Sequence, residues 1–182
     1  MSSILLVFCS IVAIFGSLAI LYIVLYNHIQ VLNIRVNEAE TIIDEELRKK
    51  YDLIMESESI IKKVTKKEIN IFNELRDLKE KNISNLDFDR KVTESYTILK
   101  QIKSDYDSLD NNDDFSNILN SIHDSNEKLE AAKSFYNKYT SKMNEVIKKF
   151  PSNIIALIHK IKVKNYFDGK NMFDENIKDF KL

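Results

Sequence analysis

Apolar residues return every seventh position from Phe115 to Phe150, through Ile122, Leu129, Tyr136 and Met143. Ile118, Ala132, Tyr139 and Val146 each stand three residues after a member of that series. Such an a/d seam, with no Gly or Pro before Pro151, predicts one long helix made to pack against other long helices. At ~1.5 Å per residue it would be roughly 55 Å long, more than an ordinary compact core spans.

A different pattern opens the chain. Ile4 to Leu25 contains no charged residue, and about 20 apolar residues suffice to cross a hydrocarbon core as a helix. Only Met1, Ser2 and Ser3 precede it, without the positive n-region of a cleaved signal, so it is expected to remain as a transmembrane anchor. Beyond Asn27 the helical period continues through Ile29, Leu32, Val36, Ala39, Ile43, Leu47, Ile54, Ile61, Val64, Phe72, Leu75 and Leu78. One uninterrupted helix from the membrane to Lys81 is predicted, its aqueous part of ~55 residues projecting roughly 80 Å.

The remaining elements follow from local signals. Ser84 and Asp87 form a capping-box-like pair, and the triplet Asn82, Ile83, Ser84, although a glycosylation sequon, is read as a turn. Val92, Tyr96, Leu99, Ile102 and Tyr106 mark a second helix. The polar run Asp110, Asn111, Asn112, Asp113, Asp114 separates it from the heptad helix and supplies an N-cap with first-turn carboxylates. Pro151 ends the heptad helix. Ser152 or Asn153 is expected to cap a short fourth helix that carries Ile154, Ile155, Leu157, Ile158 and Ile161. Counted this way, the turn at Phe150 stands far from the membrane. Lys148, Lys149, Lys160, Lys162 and Lys164 should then meet solvent or protein rather than lipid.

The fold expected is all-α: an N-terminal transmembrane helix continuing into an elongated antiparallel four-helix bundle. Residues 1–3 form a short N-terminus, 4–25 the span, 26–167 the bundle and 168–182 a polar tail without regular order. With only Gly16, Gly169 and Pro151 among 182 residues, tight turns and phosphate-cradling glycine loops are nearly excluded.

Charge and chemistry narrow the function classes. A net charge of −1 carries no footprint of a nucleic-acid binder. Cys9 is the sole cysteine, so neither an intrachain disulfide nor a cysteine zinc site can form. His28, His123 and His159 stand far apart, with no metalloprotease spacing. Asp105, Asp107, Asp110, Asp113 and Asp114 are the densest carboxylates. A calcium loop starting at Asp105 would need Gly and Glu where Asp110 and Ser116 stand, so a solvated, helix-capping loop is expected. No catalytic residues, metal or cofactor are predicted, and no enzyme. Asp44, Arg48 and Asp52 fall on one helix face with Lys49 beside it, a candidate partner-docking face. The seam Phe115, Ile122, Leu129, Tyr136, Met143 and Phe150 is the candidate bundle core. Because a/d patterns alone do not choose partners, a second copy of the chain is also an allowed one.

Two blocks carry a family resemblance. Ile43, Asp44, Leu47, Arg48, Lys49, Lys50, Tyr51, Asp52, Leu53 and Ile54 form the first. Ala131, Ala132, Lys133, Phe135, Tyr136 and Asn137, then Phe150 to Ala156, Tyr166 and Phe167, form the second. Together with the preceding apolar run they resemble the bacterial LemA family from Tyr26 to Phe167. Met55, Glu56 and Ser57 replace a usual proline-asparagine-leucine, and Lys133 replaces a usual arginine, keeping the charge without the planar fork. The resemblance implies a single span, an outside N-terminus, a bundle of long antiparallel helices and no established activity. Arg35, Arg48, Lys49 and Lys50 following the span agree with a cytoplasmic C-terminal part of a single-pass cell-membrane protein. The function expected is a membrane-anchored scaffold or adaptor that meets the bilayer through 4–25 and other envelope proteins through its helices. A ligand- or cation-sensing bundle is the alternative.

Overall fold

The computed structural model describes residues 2–66, 68–81 and 84–167. Among them every regular element is a helix: α1 (Ser2–Thr65), α2 (Asn70–Glu80), α3 (Asn85–Asp105), α4 (Asp107–Asp110), α5 (Asp113–Lys148) and α6 (Ser152–Ile158). The expected tail, 168–182, and the sequon positions Asn82 and Ile83 lie outside the described residues.

The predicted first helix does not reach Lys81. It stops at Thr65, because Lys66 turns into the left-handed region at φ 54° and its N–H closes on the Lys62 carbonyl at 3.1 Å, a left-handed helix stop. Elsewhere the capping signals work as local chemistry dictates. Ser84 Oγ accepts the Asp87 N–H at 3.2 Å ahead of α3, and Asn112 Oδ1 accepts the Phe115 N–H at 2.8 Å ahead of α5. Neither Ser152 nor Asn153 caps α6, whose N-cap is Pro151 without a side-chain bond.

The chain forms two compact units. One holds residues 38–135 with Phe167. Its core joins Ile54 and Ile61 of α1, Phe72 and Leu75 of α2, Val92 and Leu99 of α3, Leu109 of α4, and Phe115, Ile118 and Ile122 of α5. Each such side chain contributes about 1.5–3 kcal/mol on full burial. The pairs Arg76 with Glu58 and Lys79 with Asp52 run in opposite order along the two helices, so α2 returns antiparallel to α1. Asp44 with Asn85 and Lys50 with Asp89 run in the same order, so α3 heads outward again.

The other unit holds residues 2–37 and 136–166. Ile29 and Leu32 of α1 pack with Met143 and Ile147 at the end of α5 and with Ile155 and Ala156 of α6. The beginning of α1 thus pairs with the end of α5, which places the Phe150 turn beside the end of the apolar run. This overturns the expected far position. The unpredicted stop at Lys66 adds a return helix, and each added crossing reverses the end at which later turns fall. Phe150 itself lies past the end of α5 and is 79% exposed, so it leaves the seam it was expected to close. Before Leu25 the apolar run is one exposed helical segment, and it is long and apolar enough to cross a membrane. Two of its serine hydroxyls are satisfied within the helix, Ser10 by the Leu6 carbonyl at 2.9 Å and Ser17 by that of Ala13 at 2.8 Å.

Candidate functional site

Within residues 38–135, α1, α2 and α3 enclose a groove of about 600 Å³. Helix α1 contributes Asp44, Leu47, Arg48, Tyr51 and Asp52, one stripe at three- and four-residue steps. Leu78 and Lys79 come from α2, Asn85 and Phe88 from α3. The stripe explains the spacing, since residues three and four apart share a helix face. The stop at Lys66 explains the opposite wall, since it turns α2 back over that face.

The groove has an aromatic wall and a charged rim. Tyr51 and Phe88 meet with centroids 5.9 Å apart, and the Lys79 ammonium sits 4.1 Å over the Tyr51 ring, a favourable cation–π position. Burial pushes the Tyr51 hydroxyl up, against the opposing pull of Arg76, so it stays a protonated donor at neutral pH. Asn85 Nδ2 donates to Asp44, and Lys79 stands 3.9 Å from Asp52. Arg48 is exposed and pairs with no carboxylate among the described residues. Its planar fork is therefore available to a carboxylate brought from outside.

Of the four residues proposed for the docking face, Asp44, Arg48 and Asp52 line this groove, while Lys49 is exposed outside it. Of the seam, Phe115, Ile122, Leu129 and Met143 are buried. Tyr136 is half-buried and donates its hydroxyl to the Asn165 carbonyl at 3.1 Å.

A second arrangement in the same unit was not foreseen. Lys50 is fully buried, 0% exposed, with Nζ 2.7 Å from Asn126 Oδ1 and 3.9 Å from Asp89 Oδ1. The other oxygen of Asp89 accepts from Lys133 at 3.0 Å, and Lys133 also meets Glu130 at 2.5 Å. Burial pulls the Lys50 ammonium below its usual range, only partly offset by Asp89. For Lys133, burial acts the same way, but the bonds from Glu130 and Asp89 outweigh it and raise the net value. The network ties the first signature block to the second through α3. Its signal was register: Lys50 stands on the stripe of Ile43, Leu47 and Ile54, and Lys133 four residues after Leu129.

No three His, Cys, Asp or Glu side chains converge as a metal-holding group among the described residues. Asp110 is 3.6 Å from Lys103, and His123 lies 3.6 Å from Glu127 on the same helix.

No curated protein matches the chain. The family model does match, over residues 39–178, a stretch that contains both signature blocks, and on that extent the chain belongs to the LemA family.

Proposed function

We propose that this protein is a single-pass, membrane-anchored helical adaptor of the cell envelope. Residues 4–25 sit in the bilayer, and the antiparallel four-helix bundle is built from α1, α2, α3 and α5. We place the part beyond the span in the cytoplasm, in keeping with Arg35, the first lysine or arginine after it. The protein acts by binding rather than by catalysis.

The groove carries this reading. It gathers the signature residues Asp44, Arg48, Tyr51 and Asp52 against α2 and α3, and it offers an unengaged guanidinium beside an aromatic wall. That combination suits a protein segment bringing one acidic residue for Arg48 and one apolar anchor for Tyr51 and Phe88, since Arg and aromatic anchors dominate interface energetics. The test is recovery of partners from cells after crosslinking, comparing the natural chain with Arg48→Glu and with the groove-filling Asn85→Trp. A defined envelope protein that is lost with both variants is expected. Recovery of no other envelope protein, or of the same set with every variant, contradicts the reading.

A further inference from the structure

Helix α6 is apolar on both faces. Ile155 and Ala156 are buried against Ile29, Met143 and Ile147. The opposite stripe, Ile154, Leu157 and Ile158, faces outward, with Leu157 80% and Ile158 60% exposed. Contiguous exposed apolar surface marks a contact site.

Position identifies the contact. The His159 ring, just past α6, lies 2.6 Å from the Tyr22 hydroxyl and 4.6 Å, centroid to centroid, from the Tyr26 ring. Tyr22 is in the last turn of the apolar run and Tyr26 just follows it, where tyrosines mark a membrane–water boundary. Leu157 and Ile158, next to His159, are therefore held at the level where the span leaves the hydrocarbon, and Phe150 stands exposed at the turn into α6. Charge agrees. From Val146 to Phe167 the chain has no Asp or Glu, and it carries Lys148, Lys149, Lys160, Lys162 and Lys164; residues 1–37 also lack a carboxylate. Lys160 and Lys162 are exposed, and Lys149 pairs with Glu145.

We infer that the α5–α6 turn and α6 form a second, in-plane membrane contact. Phe150, Leu157 and Ile158 enter the headgroup–acyl boundary of an anionic leaflet beside the span, with the exposed Lys160 and Lys162 at lipid phosphates. An amphipathic element of this kind sits about 5–10 Å into the boundary, and anionic lipid strengthens its hold. The inference rests on the reading of residues 4–25 as a span.

The test uses the full chain in vesicles of phosphatidylcholine with phosphatidylglycerol. Cys9→Ser removes the native thiol, and a fluorophore is placed at Leu157→Cys, Phe150→Cys, Phe15→Cys in the span, or Ser59→Cys on an exposed site. Quenching is read with nitroxides attached shallow or deep on the lipid acyl chains. Labels at 150 and 157 should be quenched about twofold more by shallow than by deep nitroxides, with the Phe15 label favouring deep ones. Quenching at 15, with labels at 150 and 157 as unquenched as that at 59, overturns this contact and leaves the span intact. Absence of quenching at 15 removes the span and this contact with it. Labels at 150 and 157 shielded from aqueous iodide but untouched by lipid nitroxides would mean that protein covers the face, and would overturn the inference.

Discussion

Lys133 donates to Asp89 across 3.0 Å from one side, while Lys50, its own charge wholly buried, waits 3.9 Å away on the other. One carboxylate on α3 thus answers an ammonium from each signature block. Removing it leaves the buried Lys50 ammonium without its carboxylate and Lys133 with Glu130 alone, whereas removing Lys50 takes a charge out of the interior. Asp89→Asn should therefore destabilise the full chain in detergent by about 3–5 kcal/mol, and Lys50→Met by clearly less. Urea unfolding followed by circular dichroism checks the order.

The same pair sets an alkaline stability profile. Burial depresses Lys50 in the folded state, so the folded chain gives up that proton before the unfolded chain does. Stability should then rise with pH as the ordinary lysine value of 10.5 is approached from below. Lys133 is raised, so its contribution is present below 10.5 and lost as pH climbs through its folded value. The raised hydroxyls of Tyr51 and Tyr96 add to that fall. Unfolding midpoints against pH should show the rise in the natural chain and not in Lys50→Met.

Lys66 holds φ 54° at the end of α1, a conformation that costs a residue with a Cβ about 1–2 kcal/mol and glycine almost nothing. Lys66→Gly should stabilise by about 1 kcal/mol, less what glycine adds to unfolded-chain entropy. A thermal melt reads the difference. A loss of stability would mean that the left-handed stop is not where α1 ends.

Asn144, buried on α5, clamps the strap after α6. It donates to the Lys164 carbonyl at 2.7 Å and accepts the Lys164 N–H at 3.0 Å. Asn144→Ala leaves both backbone groups without that partner, at about 1–3 kcal/mol if they stay buried. Limited proteolysis should cut near Lys162 and Lys164 faster in the variant, while sites on α3 keep their protection.

Patterns made of many like residues were legible in advance. The apolar run, the heptads of α5 and the caps at Ser84 and Asn112 each follow from repeated or strongly local chemistry. Single residues acting against type were not. A lysine supplies the stop at Lys66 where Gly, Asn or Pro would announce one, and missing it misplaced the end at which Phe150 lies. The burial of Lys50 was not legible because lysines are rarely buried without a partner, and its partner, Asp89, is on a helix distant in sequence. That Asp44, Arg48 and Asp52 share one face was legible as a stripe on α1. That α2 folds back to make it one wall of a groove depended on the stop that was missed.

The adaptor reading is tested most directly by site-specific photocrosslinking in cells. A photoreactive residue replaces Asp52, inside the groove, or Lys128, exposed on α5. A discrete adduct with one envelope protein from position 52, absent from 128, is the predicted result. The same adducts from both positions, or only lipid and self-adducts from position 52, would contradict it.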